Sequence, residues 1–360
     1  MTTAAGWQLP AAVDLAALGP LAASISLGAG QSTGIHPVPG HDGWLAKLYH
    51  KPADTDAAAC LDWLIGLPAS MPPADRARVV TSTSWPVAAL LDGGKTIGCV
   101  LPQAPARFRA NMPPDGAERY LEIDWLARPD TSFVRRGLTP PTWEQRLRVS
   151  HDVVSVAVLL GRYGLVYSDW SYSNAFYSPA DHSAYVIDLD GCGRHRMSNI
   201  FQPNWEDPHT PRSSPADATT DRYRVALLVA RVLTGERATV HALHALGDLP
   251  HPALTEILRD SLLAATPAQR PAAATLLAVL DGRPYLRMPV DRLPLPARPA
   301  VAPAPAVKPT TEPVAGPAAR PAVPSPAPVV PDRPVHVGRW FAALIVALLI
   351  LSLAVYLASL

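Results

Sequence analysis

The chain has 360 residues, a formal net charge of +1, and three cysteines, Cys60, Cys99 and Cys192, with no C-x-x-C spacing. A near-neutral chain has no global field to draw nucleic acid, and isolated cysteines exclude a disulfide framework or a zinc site and suit a reducing compartment. Proline is the outlier at 41 residues, about twice the usual share of ~5%, and it crowds toward the end of the chain.

Met1 to Pro20 has no basic region and carries Asp14 within its apolar stretch, so it is not read as a secretory signal; residues 1–19 are expected to form a leader. Ile25-Ser-Leu-Gly-Ala-Gly-Gln-Ser-Thr-Gly-Ile35 starts as a strand and enters a glycine-rich turn. Gly28, Gly30 and Gly34 leave room for backbone amides to approach a phosphate, although such a turn is more often structural. Pro37 and Pro39 predict an irregular strand at a sheet edge. Gly43-Trp-Leu-Ala-Lys-Leu-Tyr-His50 reads as a strand with Lys47 among apolar neighbours, 13 residues after Gly34. Lysine is seldom buried unpaired, so Lys47 is either an exposed strand lysine or a group held charged by phosphates, and the loop before it favours the second.

Residues 56–66 have helical spacing, with Ala59, Cys60, Trp63 and Leu64 toward a core and Asp56 and Asp62 available as acids. Pro68, Pro72 and Pro73 end that helix. Trp85–Leu91, the turn Asp92-Gly-Gly-Lys95 and Thr96–Leu101 form a hairpin. Pro102-Gln-Ala-Pro105 is a stiff connector suited to a hinge, and residues 107–141 show no clear period.

From Thr142 a long helix begins, with apolar Trp143, Leu147, Val154, Val158 and Leu160, closed by Gly161 and Gly164. Asp169 and Asn174 follow in a loop, five residues apart, and Asp188 ends the apolar run Tyr185-Val-Ile 14 residues beyond the amide. An amide and a carboxylate oxygen on adjacent loops meet the needs of a Mg²⁺-nucleotide site, because Mg²⁺ takes one or two protein oxygens and the rest from phosphate and water. Asp169 is then free to orient an attacking hydroxyl. Turns also favour these residue types for their own reasons. Two registers fit Ile187-Asp-Leu-Asp-Gly191: Asp188 is chosen as the ligand, and Asp190 stands behind it or is the polar half of a β-turn.

Thr219 to Gly235 reads as an apolar helix with an N-cap at its start, and Ala265 to Leu277 holds Arg270-Pro271 ahead of a last helix. His195, His241 and His244 have no third ligand at zinc spacing and are read as surface residues.

Taken together, these segments resemble the protein-kinase family, in which D-x-x-x-x-N is followed by a D-F-G segment. The resemblance covers about residues 20–285. It implies an α+β, two-lobed fold: a small antiparallel β lobe over residues 20–105 and a larger α-helical lobe over 106–290, with ATP and Mg²⁺ between them and adenine against the connector at 102–105. It implies Lys47 on the phosphates, Gly28, Gly30 and Gly34 in the phosphate loop, Asp169 as the catalytic carboxylate, and Asn174 and Asp188 on Mg²⁺. Asp221 would brace the catalytic loop and Arg270 would anchor the lower lobe.

This chain departs from the family at several points. The glycine spacing is one residue longer, G-x-G-x-x-x-G. Residues 56–66 contain no glutamate to pair with Lys47, leaving Asp62 as a short substitute or a solvated aspartate. Tyr167-Ser168 stands for His-Arg, so activation by phosphorylation is not expected, and Ser171 stands for the usual lysine. Residues 191–220 would form the activation segment, with Asn204-Trp-Glu-Asp-Pro208 in place of A-P-E.

Beyond the lobes, residues 291–338 read as a disordered Pro/Ala-rich tether of polyproline II character. Trp340–Leu360 is 21 residues without a charge or a proline, about 32 Å as a helix, close to the ~30 Å hydrocarbon core. Residues 339–360 are therefore expected to be a single transmembrane helix. Arg333 and Arg339 keep the preceding chain in the cytoplasm, and no domain is expected past the span. The expected function is a membrane-anchored, Mg²⁺-ATP-dependent Ser/Thr protein kinase. The alternative is a pseudokinase that binds nucleotide as a signalling scaffold, and a third reading is a small-molecule phosphotransferase.

Overall fold

Side chains that alternate across the backbone turn the first hundred residues into a sheet with two covered faces. The computed structural model of the chain describes residues 9–27, 32–112, 116–287 and 289–298. Six strands, β1 (Ala12–Asp14), β2 (Ser26–Leu27), β3 (Ser32–Pro37), β4 (Trp44–Tyr49), β5 (Ala88–Asp92) and β6 (Lys95–Pro102), lie in the order β1-β5-β6-β4-β3-β2. All neighbours are antiparallel except β1, which runs parallel to β5 with Val13 opposite Leu90. The sheet is therefore mixed, where a purely antiparallel one was expected, and residues from the expected leader form its first strand.

Ala46, Ala88 and Val100 face one way and pack on Val13, Leu18 and Val38. Ala89, Cys99 and Leu101 face the other way, against Leu61. Gly93 and Gly94 both have positive φ, 54° and 77°, the geometry of the tight turn that matches strand twist. Strand β3 does carry a register shift between Ser32 and Gly34, but β2 pairs with its outer side, so it lies one strand in from the edge.

Two helices connect β4 to β5. Helix α1 (Thr55–Gly66) starts at Asp54, whose carboxylate accepts the Ala57 N–H, and it buries Leu61 and Leu64. Cys60 and Trp63 are half-buried and Ala59 is exposed, so the buried stripe is narrower than the spacing suggested. Helix α2 (Pro73–Ser82) begins where the prolines predicted only an ending. Pro73 occupies its first turn, where a missing N–H costs nothing and the fixed φ suits a helix.

Residues 107–141 fold as a hairpin, β7 (Arg109–Met112) with β8 (Ala117–Tyr120), and a short helix α3 (Asp130–Val134). Helix α4 (Trp143–Arg162) opens with a capping box between Thr142 and Gln145 and buries Val149, Val153, Val156 and Leu160. Strands β9 (Leu165–Val166), β10 (Ala175–Tyr177) and β11 (Ala184–Val186) follow. Then come α5 (Ala218–Thr234), α6 (Thr239–Ala245), α7 (Pro252–Leu263) and α8 (Ala273–Leu280). The N-cap of α5 is Asp217, two residues before the expected Thr219: its carboxylate accepts the N–H groups of Thr219 and Thr220. Gly235 ends the helix with a left-handed φ of 69°, which favours glycine.

Helix α5 is buried on nearly all sides and is the axis of the helical half, with α4 and α7 packed on it. Each fully buried Leu or Val there contributes about 1.5–3 kcal/mol relative to exposure. The architecture is α+β, a small sheet followed by helices.

The first residues of the expected tether are held against the helices. The Asp260 carboxylate accepts from Arg292 Nε at 2.7 Å and from the Tyr285 hydroxyl at 2.8 Å. Among the described residues no helix is long and apolar enough to cross a membrane. The expected span, 339–360, and the tether from 299 onward lie outside the described residues.

Candidate active site

Helix α4 and strand β9 deliver the chain into a loop that helix α5 grips from below. Asp221, on the first turn of α5, accepts the backbone N–H of Tyr167 at 2.7 Å and of Ser168 at 2.8 Å. Burial pushes the Asp221 carboxyl up to about 6 against the pull of those two N–H groups. Ser168 has a φ of 56°, a conformation that serine adopts only when its surroundings impose it. Here they do: Arg224 of α5, itself buried, donates to the Ser168 carbonyl and, at 3.1 Å, to its hydroxyl. The Tyr167 hydroxyl donates to the Ile187 carbonyl at 2.6 Å, tying this loop to the next.

Asp169 follows directly. The Asn174 side-chain amide donates to the Asp169 carbonyl at 2.9 Å, which closes the loop on itself. Burial pushes the Asp169 carboxyl up to about 6; the Asn174 amide opposes that rise and the nearby Asp188 charge adds to it. Gln202 Nε2 donates to Asp169 Oδ1.

The hairpin of β10 and β11 sets the second loop beside the first. Ala175 pairs with Val186, so Asn174 and Ile187 are adjacent, and the Ile187 N–H donates to the Asn174 carbonyl at 3.0 Å. Asp188 comes next in a left-handed conformation, φ 60° and ψ 36°, tolerated by aspartate at some cost. Leu189 is fully buried behind it.

Strand β4 brings Lys47 to these loops from the sheet. Its ammonium lies 2.9 Å from Asp190 Oδ1 and 3.4 Å from Asp188 Oδ1. Burial alone would lower the Lys47 pKa, but the Asp190 and Asp188 carboxylates override it and hold the group above its ordinary value. A side chain on Gly98 would collide with the Lys47 carbonyl oxygen, so glycine at that position lets β6 pair closely with the lysine strand.

Of the residues expected in the site, Lys47, Asp169, Asn174 and Asp188 form one connected set. Gly28 and Gly30 lie outside the described residues, and Gly34 sits in β3 beside Ser24 and His36. Asp62 does not join the set: it is exposed on α1, and the acids on Lys47 come from the Asp188 loop instead. Helix α1 is oriented differently from that expectation because Leu61 and Leu64 take its buried stripe.

Tyr49, Gln202 and Arg224 were not singled out by sequence reasoning. Tyr49 lies two residues after Lys47 on the same strand face, so strand periodicity could have found it; nothing local marks the other two.

Among the described residues no group of three or more His, Cys, Asp or Glu side chains is placed to hold a metal ion. The residues do suit a Mg²⁺ that shares its shell with phosphate and water. The Asn174 N–H end is committed to Asp169, which leaves its oxygen as the acceptor. Asp188 is 34% exposed at the side chain, whereas Asp190 is only 4% exposed. The chain matches no protein-family model and none of the curated proteins.

Proposed function

We propose that the chain is a protein-kinase-like phosphotransferase that moves the γ-phosphoryl group of ATP to a Ser or Thr hydroxyl of a protein, with Mg²⁺ as cofactor. The sheet half and the helical half would be its two lobes, and Trp340–Leu360 would hold it at the cell membrane. The observation that carries this reading is the unbroken run of contacts from Lys47 to Asp188, from Ile187 to Asn174, and from Asn174 to Asp169. Three segments, the Lys47 strand, the loop of Asp169 and Asn174, and the loop of Asp188, supply a cation, an amide and two carboxylates to one place.

In this reading the Lys47 ammonium binds phosphate oxygens as a fixed positive charge, and Asn174 and Asp188 are the residues that would hold Mg²⁺. Bound Mg²⁺ would neutralise phosphate charge as it develops. Asp169 accepts a hydrogen bond from the substrate hydroxyl and takes its proton as the new oxygen–phosphorus bond forms, while the bond from the γ-phosphorus to the bridging oxygen breaks and ADP leaves. A carboxyl pushed up to about 6 is mostly ionised at neutral pH and is a better proton acceptor than an ordinary aspartate. Gln202 donates to one Asp169 oxygen, and the second carboxylate oxygen is the one that would accept from the substrate hydroxyl. Catalysis of this type rests on positioning and charge stabilisation.

Thermal-shift titration with ATP, with and without Mg²⁺, paired with transfer of label from γ-labelled ATP, tests the proposal. Mg²⁺-dependent binding accompanied by labelled protein supports it. Binding without transfer would replace it with a nucleotide-binding scaffold, and label found only on small molecules would replace the protein substrate.

A further inference from the structure

We propose that Asp190, supported by Tyr49, is the positioning residue for Lys47, so that the phosphate-binding lysine is set by the Asp188 loop and not by an acid on helix α1. This rests on the nucleotide-site reading above and assigns a role within it.

The two carboxylates near Lys47 are not equivalent. Asp190 contacts it at 2.9 Å with a side chain 4% exposed, whereas Asp188 stands at 3.4 Å with a side chain 34% exposed. Both oxygens of Asp190 are engaged: Oδ1 by the Lys47 ammonium and Oδ2 by the Tyr49 hydroxyl at 3.0 Å. Lys47 and Tyr49 are two residues apart on β4 and so project from the same face, forming a two-point seat for one carboxylate. A buried carboxylate fully used in this way orients its partners and is poorly placed to hold a cation as well. Asp188, more open and more loosely paired, keeps the side that faces solvent.

Asp190 lies in the single turn Leu189–Gly191 that starts at Asp188, with Leu189 buried as its anchor. The lysine and the residue proposed to hold Mg²⁺ are thus fixed by one short piece of backbone. Helix α1 touches the loop through a different contact, Cys60 Sγ to the Cys192 carbonyl at 3.2 Å, while Asp62 points to solvent. A shift of α1 would therefore leave the lysine and its acid together.

The test is a pair of double-variant cycles in the full-length chain, Lys47→Met with Asp190→Asn and Lys47→Met with Asp62→Asn. Each is read first as thermal midpoint without nucleotide, then as affinity for Mg²⁺-ATP. In the first cycle the midpoint losses are expected to fall short of additivity by about 4 °C or more, and in the second to add. Asp190→Asn is expected to weaken Mg²⁺-ATP by about tenfold or more, Asp190→Glu to recover part of it, and Asp62→Asn to bind as the parent does.

Additive midpoints in the Lys47–Asp190 cycle, or coupling in the Lys47–Asp62 cycle, would overturn the assignment. So would unchanged or tighter Mg²⁺-ATP binding by Asp190→Asn, since Asp190 would then compete with phosphate. Should Asp190→Asn not fold, Tyr49→Phe replaces it in both readouts with the same expected directions. If the parent chain binds no Mg²⁺-ATP, the nucleotide reading fails by itself, and the nucleotide-free cycle still decides whether Asp190 holds Lys47.

Discussion

Asp207 and Arg270 form an ion pair sealed inside the helical half, with side chains 0% and 1% exposed and contacts of 2.5 and 2.7 Å between both pairs of atoms. Asp207 precedes α5 and Arg270 precedes α8, so the pair fastens the segment after the Asp188 loop to the last helix. His209 N–H and the Thr210 hydroxyl also donate to Asp207, and Arg270 donates to the Thr219 carbonyl. Breaking such a pair from one side strands a buried charge. Arg270→Met is therefore expected to lower unfolding free energy by about 3–5 kcal/mol, and Asp207→Leu combined with it to recover much of that loss. Urea unfolding measures both, and a single-variant loss under about 1 kcal/mol would mean that the pair behaves as a surface contact.

Asp221 holds the loop that carries Asp169 by accepting two backbone N–H groups, those of Tyr167 and Ser168. Asp221→Ala orphans both, at about 1–3 kcal/mol per group. If the loop carries the chemistry, the same variant should lose kcat far more than it raises the KM for ATP, because Lys47 and Asp188 are not attached to Asp221. Steady-state kinetics alongside chemical unfolding separates the two effects. Loss of stability with kcat intact would uncouple Asp221 from the reaction.

Asp169 and Asp221 both have carboxyls pushed up to about 6, in each case chiefly by burial. A raised carboxyl pKa means that the folded chain holds the proton more tightly than the unfolded one. The stability these groups contribute is complete below the unfolded pKa of about 3.9 and is lost as pH rises through 6. Between pH 4 and 7, Asp169→Asn should therefore gain stability relative to the parent chain as pH increases. The proposed reaction would run the opposite way: Asp169 would accept a proton only when ionised, so kcat/KM should climb through an acid limb near pH 6. Thermal midpoints across that range check the first expectation and a pH–rate profile checks the second. A limb near pH 4 would return Asp169 to the behaviour of an ordinary surface aspartate.

Much of this arrangement is legible in the sequence because it is local. The hairpin at Asp92-Gly-Gly-Lys95, the capped helix after Thr142, and the spacing of Asp169, Asn174 and Asp188 all rest on short-range patterns that turn chemistry and periodicity encode. The acid on Lys47 was not legible. Its choice depends on which face α1 buries, and a helix containing Leu61, Leu64, Cys60 and Trp63 offers more than one stripe. The parallel pairing of β1 with β5 joins residues 77 apart, and no local pattern signals such a contact. Pro73 misled in the other direction, because a proline that ends one helix also begins the next. Arg224 looks like any arginine in an apolar helix, and only the fold brings it beneath Ser168.

Whether Asp188 and Asp169 act in one transfer reaction is read directly from the rate of γ-phosphoryl transfer from Mg²⁺-ATP by the parent chain, Asp188→Asn and Asp169→Asn, with Mg²⁺-ATP affinity measured on the same samples. Asp169→Asn is expected to keep nucleotide affinity and lose transfer by about 100-fold or more, and Asp188→Asn to lose both transfer and the Mg²⁺ dependence of binding. Undiminished transfer by Asp188→Asn would remove Asp188 from the reaction and with it the phosphotransferase site.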